Sequence, residues 1–131
     1  MSALVRCAAC AEAALVAFDR FWERLKKELA SLPGPDPSAH VGRIRKWSQH
    51  QEYFGGDFTL LYRGGSTISC NTATTDSGRR HISVSEIRKV YEVWQDYRAR
   101  RVGRNHIVHD LGVHNASWII PILREYEHLM S

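Results

Sequence analysis

The sequence lacks most of the features that place a chain in a functional class at once. It has no apolar run near the roughly 20 residues that cross a bilayer, no phosphate-binding glycine loop, and no Gly-x-Ser-x-Gly or His-Glu-x-x-His motif. Its carboxylates are scattered instead of paired. The absence of a long apolar run excludes a membrane-spanning segment. The absence of these motifs and of paired carboxylates leaves no candidate residues for hydrolytic catalysis. We therefore assign no catalytic residue, metal or cofactor, and we favour a binding protein over an enzyme.

Cysteine is scarce as well, with only Cys7, Cys10 and Cys70. An odd number of cysteines suits the reduced thiols of a cytosolic protein better than a disulfide framework. Cys7 and Cys10 have the spacing of half a zinc site, but we favour small packing residues among alanines. The Ala-rich start carries Arg6 and Glu12, unlike a signal peptide, so we expect a cytoplasmic location.

Proline is rare, and three of the four prolines fall in residues 33–39, which form a stiff linker. Residues 1–32 before it predict an amphipathic helix, because their apolar residues recur at alternating steps of four and three. The apolar face of such a helix can pair with the same face of a second copy, or it can pack along the rest of its own chain. If two copies pair as a homodimer, the interface comprises Leu15, Phe18, Trp22, Leu25 and Leu29.

The remaining residues, 40–131, predict an antiparallel meander and a helical core, so that residues 1–131 form a single α+β domain. Residues 40–54 are interpreted as a short helix, since Ile44 and Trp47 fit one helical face. From residue 57 to about residue 82 the apolar period changes to two, with a two-residue turn at Gly64-Gly65 that pairs Leu61 with Ile68. A second turn is predicted at residues 76–78.

Three helices are predicted after the meander. Ser83 and Glu86 have the spacing of a capping box, which predicts a helix that begins there and runs to about residue 101. A short helix over residues 104–111 and a last helix over residues 116–129 follow, joined by Gly112 as a left-handed C-cap and Asn115 as an N-cap.

The net charge of +4 is distributed unevenly along the chain. Residues 79–104 contain eight basic and three acidic residues, a net charge of +5, so the rest of the chain is slightly acidic. Such clustering favours a polyanionic partner. The alternative is a solvated helix face with its own ion pairs.

The residues Leu111-Gly112-Val113-His114-Asn115-Ala116-Ser117-Trp118 resemble the turn of bacterial helix-turn-helix DNA-binding proteins, and the resemblance extends over residues 104–128. It implies that Ile107, Leu111, Val113 and Trp118 are buried. It also implies that the last helix meets bases or phosphates with its first residues, while nearby arginines flank the DNA backbone. Pro121 and the apolar residues around it indicate an alternative, a helical hairpin that closes the core.

The charge pattern and the resemblance together predict a small basic nucleic-acid-binding protein, with DNA as the expected partner and an accessory or regulatory role. Its predicted contact residues are Arg79, Arg80, Arg100, Arg101, Arg104, His114, Asn115, Ser117 and Arg124. The order of elements is also similar to that of small uncharacterised proteins of mobile gene cassettes.

Two other functions remain open from the sequence. One is a protein-interaction module that uses the first helix or the apolar last helix. The other is a small-molecule-binding protein whose pocket is lined by the aromatic residues Trp47, Tyr53, Trp94 and Trp118. A third possibility, a metal site, is suggested by His106, His109 and His114 beside Asp110, although helix caps or solvent contacts are the usual roles of such histidines.

Overall fold

The computed structural model describes residues 8–71 and 80–130, and it describes side chains of the first helix at residue 13 and from residue 16 onward. The predicted α+β class is confirmed: a long helix comes first, an antiparallel sheet follows, and short helices complete the chain. The helices are α1 (Ala8–Ala30), α2 (Val84–Glu92), α3 (Trp94–Arg98) and α4 (Ala116–Glu125), with a π-helical turn at His106–Asp110 and a 3-10 turn at Glu127–Leu129. The strands are β1 (His40–Ser48), β2 (Glu52–Tyr62), β3 (Thr67–Asn71) and β4 (Arg80–Ser83).

The four strands pair in chain order, each antiparallel to the next. One face of the sheet is apolar and fully buried, with Ile44, Leu60, Ile68 and Ile82 each 0–1% exposed. Helix α4 lies against β1 on this face, and α2 contacts both α1 and α4. The sheet therefore buries one face against helices, as an antiparallel sheet can, and leaves its other face with mostly polar side chains.

The predicted short helix over residues 40–54 is wrong, because this segment forms β1 and the beginning of β2. The strand pairing shifts between Arg45 and Trp47, which marks a β-bulge. The extra residue places Ile44 and Trp47 on the same buried face although they are three positions apart. A spacing of three is also a helical spacing, so the bulge explains the incorrect prediction.

The β2–β3 hairpin forms where it was expected, but its register differs by one residue. Tyr62 pairs with Ile68 and Leu60 with Cys70, whereas the two-residue turn paired Leu61 with Ile68. Cross-strand partners share one face of a sheet, and Leu60, Tyr62, Ile68 and Cys70 are all buried. Burial of these four side chains therefore favours the observed register. In this register the loop between β2 and β3 is longer than the predicted two-residue turn.

The first helix packs within its own chain. Phe18, Trp22, Leu25 and Leu29 are 0–8% exposed, and their neighbour Phe21 stacks on Tyr91 of α2 at a centroid distance of 5.1 Å. Four of the five residues predicted for a homodimer interface thus belong to the core, and the side chain of Leu15 lies outside the described residues. The sequence leaves two alternatives for the apolar face of this helix. The structure shows the second, in which the face packs against the rest of its own chain.

The start of α2 follows the predicted capping signal. Ser83 is the N-cap, and its Oγ accepts a hydrogen bond from the Glu86 backbone N–H at 3.4 Å. The predicted helix to residue 101 is interrupted, since Val93 leaves helical geometry between α2 and α3. The predicted turn at residues 76–78 lies outside the described residues. Among the described residues, no helix is long and apolar enough to cross a membrane.

Docking of α1 can be tested by truncating a core side chain and an exposed one on the same helix. Leu25→Ala removes a fully buried side chain and should lower the free energy of unfolding by about 2–5 kcal/mol. Val16→Ala, at a side chain that is 54% exposed, should change it by less than about 0.5 kcal/mol. Urea unfolding followed by circular dichroism measures both effects. An unfolding midpoint that rises with protein concentration would contradict packing within one chain.

A candidate ligand pocket with aromatic walls and a basic rim

A pocket of about 820 Å³ lies between the β1–β2 hairpin and the first turns of α4. Elements distant in the sequence contribute to it, since Tyr97 comes from α3 and Arg80 from the start of β4. We call this site the aromatic pocket. Its lining residues are Lys46, Trp47, Ser48, His50, Gln51, Phe54, Phe58, Arg80, Tyr97, Arg104, Ala116, Ser117, Trp118 and Ile120.

Large aromatic side chains form the walls. Trp47, Phe58 and Tyr97 are buried parts of the core, at 1–5% exposure, whereas Trp118 is half-buried and Phe54 is 38% exposed. The Phe58 and Trp118 rings meet edge to face, with centroids 5.0 Å apart and planes at 84°. This is a favoured geometry for aromatic pairs, so it holds the Trp118 ring in place.

Cationic side chains surround these walls. Lys46, Arg80 and Arg104 line the pocket together with the His50 imidazole, and among the described residues no aspartate or glutamate lines it. Arg104 is anchored by a hydrogen bond of 2.8 Å from its Nη2 to the Ser117 Oγ. The pocket therefore combines apolar surfaces with positive charge that no carboxylate of the described lining offsets.

Gln49 connects the hairpin to the helices beside the pocket. Its backbone N–H donates to the Tyr97 hydroxyl at 3.1 Å, and its side-chain Nε2 donates to the carbonyl oxygens of Tyr97 and Val102. Burial raises the pKa of Tyr97, although the Gln49 N–H and the charge of Arg104 act against this rise. The phenol therefore keeps its proton at neutral pH. Gln49 is itself only 6% exposed, so this polar side chain is a fixed structural link.

The predicted nucleic-acid contacts separate into several groups in the structure. Arg80, Arg104 and Ser117 come together in the aromatic pocket. Arg100 and Arg124 line a second, smaller cleft, which is described below. Arg101 pairs with Asp96 at 2.7 Å, and Arg79 lies outside the described residues.

His114 and Asn115 have a structural partner. The Glu86 carboxylate accepts a hydrogen bond from the His114 backbone N–H at 3.3 Å and another from Asn115 Nδ2 at 2.8 Å. Asn115 is the N-cap of α4, but its side chain makes no capping hydrogen bond. Gly112 has a φ of +69°, the left-handed conformation that the sequence predicts.

The residues around the turn at Gly112 are buried as in a helical hairpin that closes the core. The predicted helix over residues 104–111 is a π-helical turn, and the predicted last helix ends as α4 at Glu125, before a 3-10 turn. Ile107 and Val113 are buried as the resemblance implies, while Leu111 and Trp118 are half-buried. Six residues of α4 are also buried, namely Ala116, Ile119, Ile120, Pro121, Ile122 and Leu123. Little of α4 is thus exposed for insertion into a groove.

The aromatic residues predicted to line a pocket are only partly brought together. Trp47 and Trp118 do line it. Trp94 is a core residue that donates from its Nε1 to Glu127 Oε2 at 2.8 Å, and Tyr53 lies outside the pocket beneath the guanidinium of Arg45. Sequence reasoning missed Phe58 and Tyr97 as lining residues. Both have apolar periodicity, which cannot distinguish a pocket wall from the core.

No metal centre is evident in the described part of the chain, where no group of three or more histidine, cysteine or acidic side chains converges. His106 instead contacts Asp110 through Nδ1 at 2.9 Å. Burial raises the pKa of Cys70 to about 12, so this thiol stays protonated at neutral pH. The side chains of Cys7 and Cys10 lie outside the described residues.

Comparisons of the chain with protein-family models, with curated proteins and with solved structures found no match.

Proposed function

We propose that this protein binds a small organic anion with a flat apolar body in the aromatic pocket. The observation that carries this proposal is the combination of aromatic walls and a cationic rim around one cavity, which no carboxylate lines in the described part of the chain. The volume of about 820 Å³ lies within the range of about 300–1,000 Å³ that is usual for ligand sites.

The aromatic walls favour a planar ligand. Trp118 and Phe54 retain exposed surface at the pocket, while Trp47, Phe58 and Tyr97 lie in the packed core. Covering exposed apolar surface contributes about 25 cal/mol per Å², and aromatic stacking adds about 0.5–1.5 kcal/mol for a well-placed pair. A flat ring system has the shape that gains from both terms.

The cationic rim favours a negatively charged group on that ligand. The Arg104 guanidinium uses one donor on Ser117 and has further N–H groups for a carboxylate, sulfonate or phosphate. Arg80 and Lys46 add charge without fixed carboxylate partners among the described residues. The rim therefore selects anions over neutral molecules of the same shape.

The proposal can be tested with two dyes that differ in charge. We expect 8-anilino-1-naphthalenesulfonate to bind more tightly than uncharged N-phenyl-1-naphthylamine, as measured by dye fluorescence. Arg104→Ala should weaken binding of the anionic dye about tenfold, since a hydrogen bond to a charged group contributes about 1.5–3 kcal/mol. The neutral dye should be unaffected by this change.

Arg88→Ala is the control, because Arg88 is exposed on α2 and does not line the pocket. It removes the same charge and should leave both dyes unchanged. Equal losses for Arg104→Ala and Arg88→Ala, or no preference between the dyes, would contradict the proposal.

A second candidate function is binding of single-stranded nucleic acid. It is favoured by the meeting of three predicted contacts, Arg80, Arg104 and Ser117, beside the aromatic walls. Bases stack on aromatic side chains while cationic side chains follow the phosphates, which is the usual mode for single strands. The burial of α4 favours this mode over insertion of a helix into duplex DNA.

For this second function we expect a fluorescein-labelled single-stranded oligonucleotide to bind more tightly than the matching duplex in anisotropy titrations. Affinity should fall steeply as salt rises, because counterions are released on binding. The double variant Arg80→Ala/Arg104→Ala should weaken binding and lower the salt dependence. Tighter binding of the duplex, unchanged by the double variant, would exclude this mode.

A further inference from the structure

A second cleft of about 280 Å³ shares Trp47 with the aromatic pocket. Three of its six lining residues are arginines, namely Arg98, Arg100 and Arg124. We call this site the arginine cleft. Gln49 and Glu52 complete its lining.

The position of Arg100 at the cleft requires an unfavourable backbone conformation. Arg100 has a φ of +62°, a left-handed conformation that is unfavourable for a residue with a Cβ. Its Nη2 donates to the Gln49 carbonyl oxygen at 2.8 Å, which fixes the guanidinium beside the hairpin. The strained backbone and this anchor together keep the positive group of Arg100 at the cleft.

Trp47 aligns the other two guanidinium groups. The Cζ atoms of Arg98 and Arg124 lie 5.1 Å and 5.6 Å from its ring centroid. Such cation–π contacts are attractive and orient the planar groups. Arg98 donates from Nε to Glu127 Oε2 at 2.7 Å, while Arg124 Nη1 is 3.7 Å from Glu127 Oε1.

The internal partners do not balance this charge. Glu127 contacts both Arg98 and Arg124, and Glu52 is the one carboxylate among the described residues that lines the cleft. In the described part of the chain, two acids thus accompany three guanidinium groups. The Nε of Arg124 is buried and makes no hydrogen bond with the described residues. Each guanidinium has five N–H donors, so donors other than this buried Nε remain for a ligand in the cleft.

We propose that the arginine cleft binds a compact oxyanion of the phosphate class, either as a free ion or as the terminal phosphate of a larger molecule. Arginine donors match phosphate oxygens in pairs, and charge-assisted hydrogen bonds are about twice as strong as neutral ones. The cleft is smaller than the usual range for drug-sized ligands, which suits a compact group. This site is independent of the ligand proposed for the aromatic pocket.

Isothermal titration of the full chain with inorganic phosphate, at constant ionic strength set by sodium chloride, tests this site. Arg100→Gly removes a guanidinium and suits the left-handed backbone, so it should weaken phosphate binding about tenfold without loss of the fold. Arg98→Gln is a second variant with the same expected direction. Circular dichroism checks that each variant is folded.

Arg101→Ala is the matched control, because Arg101 is exposed, pairs with Asp96 and does not line the cleft. It lowers the net charge by the same amount as Arg100→Gly and should leave phosphate binding unchanged. A parallel titration compares a short oligonucleotide carrying a 5′-phosphate with the same oligonucleotide carrying a 5′-hydroxyl. A preference for the 5′-phosphate, lost in Arg100→Gly, identifies a terminal phosphate as the ligand group.

Two results would overturn the proposal. One is equal weakening by Arg100→Gly and Arg101→Ala, which indicates attraction by overall charge. The other is the absence of binding by inorganic phosphate together with no preference for the 5′-phosphate.

Discussion

The burial of Trp47 at the end of β1 is the interaction on which both candidate sites depend. Its indole packs against Trp94 and Tyr97, with centroid distances of 6.2 Å and 6.3 Å, and is 5% exposed. It also lines both the aromatic pocket and the arginine cleft. An indole suits this position because its large apolar surface packs in a core while its ring face attracts guanidinium groups. The bulge before Trp47 turns the indole inward, so a backbone irregularity determines where both cavities form.

The basic residues of the segment 79–104 lie in two different environments in the folded chain. Arg101 is exposed and pairs with Asp96, as in a solvated and internally balanced surface. Arg80 and Arg104 instead line a pocket in which the described residues include no lining carboxylate. Net charge along the sequence could not separate these two groups of arginines.

The sequence correctly predicted those features of the fold that depend on interactions between neighbouring residues. The Ser83 cap, the left-handed Gly112 and the alternating pattern from residue 57 depend on neighbouring residues, and the structure has all three. Strand β1 and the beginning of β2 were missed because the bulge makes Ile44 and Trp47 look like one helical face.

The candidate site was harder to predict because it joins elements distant in sequence. Trp118 and Phe58 come into contact only after α4 packs on the sheet. Gln49 donates to Tyr97 only when the β1–β2 hairpin packs against α3. Nothing in the local pattern distinguishes Phe58 from any other core residue. The prediction of Trp94 and Tyr53 as lining residues failed for the same reason, since aromatic content does not reveal which rings face a cavity.

The most direct test of the central claim is to observe the four tryptophan indole N–H signals by NMR while the anionic dye is added. Trp118 lines the pocket and retains exposed surface, whereas Trp22 is buried on α1 and does not line it. We expect a saturable shift of the Trp118 signal with little change at Trp22. Equal shifts at both positions, or binding that leaves the Trp118 signal in place, would contradict a ligand in the aromatic pocket.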